Sequence, residues 1–461
     1  MTTRQQSVSP DAAALAAWSA GHELSDTEAL MWRAEAEARL RSDVLLLNIL
    51  DRAPDWDRLV AVHATHVGAV PRFRQRVVDD PLRLARPRWQ QTDVDLAYHL
   101  TRCQLPAGSG EEGLLDLAAA LHMAPFDPAR PLWQAMLVEG LPDGKAGYLL
   151  KLHHAITDGA SGVALFNMLL PAGPEESDEP VLPTISAATP LREPVDSVRA
   201  VTDLVVEGGR VAVAALRHPN SALAYLRSLR RVLAVPGNPS PLLSRRGLAR
   251  RLRVLDFPLT DLRTAAKAAG ASLNDVYLAG LLGGLGHYHA KHGAPVGDVP
   301  IAIPVSTRKA DEAAGGNKFA GAYVAAPVGE PDPLRRITLI GERVRAARSE
   351  PALDFLAATA PLTSRLPIGV LGPMTLGIAD KTALQASNIP GLNRPAYLAG
   401  AHIERMFPFG PVPGCAIMAV MLTHAGTCCL TFATDHDAVP DPDLLLDCMR
   451  QGFDEIIALG R

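Results

Sequence analysis

The segment KLHHAITDG, residues 151–159, places two adjacent histidines, an aspartate and a glycine between the apolar run GYLL and the segment ASGVALFNMLL. Histidine titrates near neutrality, so this cluster allows a metal site, an acid/base centre, or two histidines that merely close a strand. Neighbouring strand residues point to opposite faces, so His153 and His154 do not readily grip one ion, and no third ligand stands at a telling spacing. No metal site is expected. An acid/base role needs one imidazole facing a cleft; His154 fits if the strand ends with that ring turned outward and His153 turned into the structure. Asp158 is close enough to shape the turn or to pair with a distant arginine, and Gly159 lets the backbone change direction without a Cβ clash. The chain contains no Gly-x-Ser-x-Gly elbow, so a covalent serine mechanism has no obvious nucleophile. That favours a base acting on the hydroxyl of the substrate itself.

The elements that must hold these residues alternate between helical and strand patterns. DWDRLVAVHATHVGAVPRFRQRVV opens as an amphipathic helix that stops at Pro71, and GLLDLAAALHMAPF is a second helix. PLWQAMLVEGL and KAGYLLKLHH read as two strands joined by a turn, and a helix follows Gly159. From Pro171 the composition shifts to proline, serine and acidic residues, the signature of a linker or long surface loop. Beyond it lie a helical stretch and a loop carrying Arg245, Arg246, Arg250, Arg251 and Arg253, the most basic part of the chain. Such arginines are by default a solvated surface; the functional alternative is a patch for anionic headgroups or for the phosphates of a cofactor-like substrate. The second half carries the helices LTDLRTAAKAAG and SLNDVYLAGLLGGLGHYHAKHG, the strand VPIAIPVSTR, a hairpin from CAIMAVMLTHAG and TCCLTFATDHD, and a final helix PDPDLLLDCMRQGFDEIIAL. The expected organisation is a tail over 1–21, a first subdomain over 22–172, a linker with a basic helical segment over 173–253 and a second subdomain over 254–461.

With 461 residues, 48% hydrophobic and 20% charged, the chain has the profile of a folded protein with two large units and not of a disordered one. A net charge of −4 gives no overall field to attract nucleic acid, and no nucleic-acid partner is expected. The five cysteines show neither CxxC spacing nor disulfide density, which suits a reducing cytoplasm. No stretch approaches the roughly 18 apolar residues of a spanning helix, so any meeting with lipid is a peripheral one, at a membrane or lipid droplet surface.

HHAITDG matches the HHxxxDG motif of the CoA-dependent acyltransferase superfamily. With VPRFRQRVV, DVDLAYHL, RPLWQAMLVEGL, SLNDVYLA, PVSTR, SNIPG and YLAG in that order, the chain from about residue 22 onward resembles the bacterial wax ester synthase/diacylglycerol acyltransferase family. The resemblance implies an α/β (α+β) fold of two chloramphenicol acetyltransferase-like subdomains with the active site in a channel between them. It implies transfer of a long-chain acyl group from acyl-CoA, a substrate and not a cofactor, to diacylglycerol or a long-chain alcohol. His154 would then be the general base, with His153, Asp158 and Gly159 shaping the loop and Arg308 as the partner of Asp158. Asn274, Trp133 and Asn388 fall in motifs expected near the substrates. Asn274 reads equally as a helix cap, and Trp133 reads better as packing than as chemistry. Thr423 and His424 stand where the family often has a Ser-Tyr pair and are expected to line a substrate channel. Two other readings remain: the same chemistry on a non-lipid hydroxyl or amine, and a non-catalytic lipid-binding scaffold, which would have no need of the base.

Overall fold

In the computed structural model, which describes residues 21–81, 83–174, 225, 227–232, 234–306, 319–353 and 355–461, two six-stranded sheets carry the helices. The first part of the chain runs α1 (Asp26–Ala34), β1 (Asp43–Leu50), α2 (Trp56–Ala69), β2 (Gln75–Val78), β3 (Arg88–Gln91), α3 (Leu96–His99), β4 (Leu100–Gln104), α4 (Gly110–Met123), β5 (Trp133–Glu139), β6 (Ala146–His153) and α5 (Gly159–Leu169). The second runs β7 (Arg250–Pro258), α6 (Leu259–Ala268), α7 (Leu273–Lys291), β8 (Asp298–Ser306), β9 (Phe319–Pro327), α8 (Pro333–Arg348), α9 (Phe355–Thr363) and α10 (Ile368–Ala379). It ends with β10 (Leu384–Ile389), β11 (Tyr397–Leu398), β12 (Ala401–Phe409), β13 (Ile417–His424), β14 (Thr427–Asp435) and α11 (Pro442–Ala458). The mixed α/β class expected from the sequence is the class observed. The N-terminal tail and most of the proline-rich stretch after Pro171 lie outside the described residues.

The first sheet has the order β11-β12-β1-β6-β5-β4 and the second the order β7-β14-β13-β10-β8-β9. Strands β11 and β12 follow β10 in the chain, yet β12 pairs antiparallel with β1, setting Leu45 opposite Phe409. The late part of the chain therefore completes the early sheet. In the second half, α7 begins with a capping box in which Ser272 Oγ accepts from Asp275 N–H and Asp275 accepts from Ser272 N–H. It then packs backbone to backbone on α11: a Cβ on Gly284 would sit 2.6 Å from Met449 Cα, so only glycine permits this approach.

Strand β6 decides the position of the site. All eight of its residues are buried between β1 and β5, as expected for a central strand with a near-continuous apolar run. The two-residue period sends Tyr148, Leu150 and Leu152 into one apolar core and Leu149 into another. Lys151 and His153 share the Leu149 face, which puts a lysine inside the protein.

Candidate active site

β6 ends at His153, whose ring is fully buried and engaged at both nitrogens. Nδ1 accepts from Ala155 N–H at 2.9 Å, and Nε2 donates to Glu35 Oε1 at 2.7 Å. These contacts select the Nε2–H tautomer and fix the ring plane. Burial alone would lower the His153 pKa; the carboxylates of Glu35 and Asp43 outweigh it and hold the value above the ordinary one. Trp32 closes the other side, edge to face at 5.5 Å.

His154 continues the strand by one backbone bond, its N–H donating to Ser42 O at 2.8 Å, and the chain then turns. Its residue surface is 9% exposed against 0% for His153. Asp158 ends the turn as the N-cap of α5, Oδ1 accepting from Ser161 N–H at 2.8 Å. Gly159 lies against the second half: a Cβ there would come 2.8 Å from Ile389 Cδ1 at the end of β10. The histidine loop and the SNIPG segment therefore touch, although more than two hundred residues separate them in sequence. Arg308, expected to pair with Asp158, lies outside the described residues.

Behind His153 stands a set of charges that the sequence reading did not assign. Glu35 is the C-cap of α1, and its Oε1 also accepts from Ser42 N–H at 2.6 Å. Asp43 begins β1 opposite His153 and pairs with Lys151 Nζ at 3.0 Å, both side chains being almost wholly buried. Lys151 also donates to Ala124 O and lies over the Phe126 ring at 4.2 Å. Burial outweighs the mutual attraction of the pair, so Asp43 is pushed up to about 6 and Lys151 falls below its ordinary value. Glu35, Asp43 and His153 present ligand atoms within 4.8 Å of one another, which resembles a cation site. The Lys151 ammonium, however, already supplies the cation there. One signal was legible: a lysine in an otherwise apolar strand and an aspartate opening another are rarely buried without partners. Glu35 had no such signal, since its partner is 118 residues away.

The other expected residues divide into two groups. Asn274 and Asn388 meet, Nδ2 of Asn388 donating to Oδ1 of Asn274 at 3.5 Å, and both are half-buried. Asn274 is not the helix cap, because Ser272 fills that role. Asn388 precedes Ile389, so the amide pair borders the residue that packs on Gly159. Trp133 lies elsewhere: it is buried, donates from Nε1 to Phe73 O at 3.0 Å and stacks on His99 at 4.5 Å. It walls a cavity of about 40 Å³ between the first sheet and its helices, shared with His63, His66, Tyr148 and Phe166.

Two expectations need correction. His424 is buried and its Nε2 bonds Ile403 O at 2.9 Å, so it ties β13 to β12 and does not line a channel. The basic loop is not an open patch. Arg250 is buried on Asp435, and Arg246 donates to the backbone oxygens of Gly414, Asp380 and Thr382. Arg251 and Arg253 pair with Asp116 and Asp443. Most of these charges are thus compensated within the protein.

Two sheets joined by an exchanged strand, with a histidine loop at their junction, define an acyltransferase of the HHxxxDG type. The wax ester synthase/diacylglycerol acyltransferase catalytic domain matches residues 24–277, and the C-terminal domain of the same family matches 315–457. The chain belongs to that family. A protein of Mycobacterium tuberculosis strain H37Rv named as a diacylglycerol O-acyltransferase is 40% identical over 453 residues, covering 95% of this chain and 92% of its own. A Mycobacterium bovis protein named in the same way is 29% identical over 365 residues, 77% of this chain and 80% of its own. Among solved structures, the wax ester synthase/diacylglycerol acyltransferase from Marinobacter aquaeolei VT8 superposes with a TM-score of 0.66 at 20% identity, covering 95% of this chain and 99% of that one. The first condensation domain of the calcium-dependent antibiotic synthetase gives 0.61 at 18% identity, covering 95% and 96%.

Proposed function

We propose that the protein joins a long-chain acyl group from acyl-CoA to the free hydroxyl of diacylglycerol or of a long-chain alcohol, with His154 as the base. The hydroxyl oxygen attacks the thioester carbonyl while His154 takes its proton. Collapse of the tetrahedral adduct breaks the carbon–sulfur bond, and the proton passes to the departing sulfur, giving ester and CoA thiol without a covalent enzyme intermediate. One observation carries the assignment of roles. His153 has both ring nitrogens occupied, by Ala155 and Glu35, and cannot accept a substrate proton without breaking that lock. His153, Glu35 and Asp158 are positioning residues in this reading, and Asn274 and Asn388 supply neutral polar contacts from the facing half.

A base of this kind contributes about 10²- to 10⁴-fold, and the remainder comes from alignment of the two substrates and from stabilising the oxyanion. The names of the mycobacterial relatives support diacylglycerol as an acceptor. All five cysteines are free, which supports work in the reducing cytoplasm, with lipid met from its surface. Purified protein with radiolabelled palmitoyl-CoA should form labelled ester on offering hexadecanol or diacylglycerol, and His154→Ala should lower product formation by about 10²- to 10⁴-fold while its circular dichroism spectrum is retained. Equal product from wild type and variant would contradict the mechanism.

A further inference from the structure

Among the described residues, six large hydrophobic side chains are prominently exposed, and three of them lie on two consecutive helices. Leu362 of α9 and Val370 and Met374 of α10 are 57%, 53% and 48% exposed. Arg365, the one charged residue between Phe355 and Ala379, turns back into the protein to donate to Leu84 O and lies 3.8 Å from Asp26. Helix α10 is apolar on both sides. Leu371 and Leu376 pack inward on Ala34 and Leu40, whereas Val370, Pro373, Met374 and Gly377 recur at helical spacing on the outer side and are exposed. A helix apolar all round is normally buried, so this outer stripe is a surface made to be covered.

We propose that the outer face of α9 and α10 is the surface by which the protein docks on lipid. This deepens, and rests on, the reading that the acceptor is a lipid. Such an acceptor resides in a membrane or droplet, and no described helix is long and apolar enough to cross a bilayer. Among the described residues of α9 and α10, Leu362, Val370 and Met374 stand among prolines and glycines, with no tryptophan, tyrosine or outward arginine to anchor a protein partner. Exposed Lys381 follows α10 directly after Asp380, whose carboxylate pairs with Arg39 at 3.2 Å, so the lysine is left as a cation for anionic headgroups at this end of the helix. The pair rests on α1, where Arg33 donates to Ser364 O at 3.0 Å, and the C-cap of α1 is Glu35, the partner of His153. The docking face is thus one helix away from the histidine loop.

The test is flotation of the full chain with vesicles of phosphatidylcholine and phosphatidylglycerol containing diacylglycerol. Val370→Asp combined with Met374→Asp should lower the vesicle-bound fraction by about tenfold or more, because two side chains that enter lipid become charges. Leu362→Asp should act in the same direction, and Leu334→Asp, an exposed leucine on α8, should float like the wild type. Acyl transfer to vesicle diacylglycerol should fall in parallel, while transfer to hexanol dissolved in buffer should not change. Unaltered flotation of the double variant would overturn the proposal. So would a wild-type dimer, measured by sedimentation equilibrium, that the double variant splits, since a second copy would then be the occupant. Flotation decides the docking face by itself; a protein that binds vesicles but acylates no acceptor would remove the functional reading and leave the surface standing.

Discussion

At the end of β6, Lys151, Asp43, Glu35 and His153 form a chain of ionisable groups, whereas the facing end of β10 offers Asn388, Asn274 and Ile389. The first sheet supplies groups that hold charge and protons; the second supplies neutral amides and an apolar contact. A base needs a fixed ring and a stable proton inventory behind it, which explains the cost of burying charge on one side. In the proposed reaction a neutral facing wall would add polarity near the reacting oxygen without competing for its proton. The core between α7 and α11 is apolar, and the buried charge of the second sheet, Arg250 on Asp435, ties β7 to the end of β14.

The largest expected effect falls on the charged side. Lys151→Met leaves the Asp43 carboxylate buried without its cation and should cost about 3–5 kcal/mol in urea-unfolding free energy. The pair Asp43→Asn with Lys151→Met should recover much of that loss; if it does not, the two charges are not the coupled pair described. Acid should act next. His63 and His122 are buried near the first sheet, and burial pushes each down to about 4 from an ordinary 6.5. The unfolded chain takes up these protons below pH 6.5 while the folded chain refuses them until about 4. Stability present above 6.5 is therefore lost as pH falls toward 4, by about 3 kcal/mol per histidine. Asp43 works in the opposite sense, since its raised value favours the folded state as pH falls through 6. Urea midpoints measured from pH 7 to 4.5 should fall on balance, and His122→Gln should flatten the slope.

Smaller effects separate positioning from substrate contact. Glu35→Gln keeps an acceptor for His153 Nε2–H but removes the charge, and should lower kcat about tenfold with KM little changed. A change confined to KM would place Glu35 at a substrate instead. Asn388→Ala, on the neutral side, should cost only about two- to fivefold in kcat/KM, in line with loss of one long amide contact at 3.5 Å. A loss as large as that from Glu35→Gln would erase the proposed difference between the two sides.

Local signals in the sequence were read well. HHAITDG announced a strand end and a helix after Gly159, and β6 and α5 occupy those places; the capping of α5 by Asp158 and the approach of Gly159 to Ile389 were not read from it. The hairpin of β13 and β14 and the buried helix α7 were equally legible from periodicity. What stayed hidden depends on distant pairing. Nothing in YLAG or the residues after it indicates that β12 leaves its neighbours to pair with β1. Glu35 sits at the end of a short helix with no pattern linking it to His153. The arginines of the basic loop, read by default as solvated surface with a ligand patch as the alternative, divide for a physical reason: along β7 side chains alternate, so Arg250 points inward to Asp435 while Arg251 points outward to Asp116. Adjacent charges in sequence were not a patch in space.

The division of labour between the adjacent histidines is tested most directly by single-turnover ester formation from palmitoyl-CoA and hexadecanol in His154→Ala and His153→Asn, each checked for fold by circular dichroism. The account expects His154→Ala to lose about 10²- to 10⁴-fold and His153→Asn to lose clearly less. Wild-type rates in His154→Ala, or an equal loss in both variants, would contradict it.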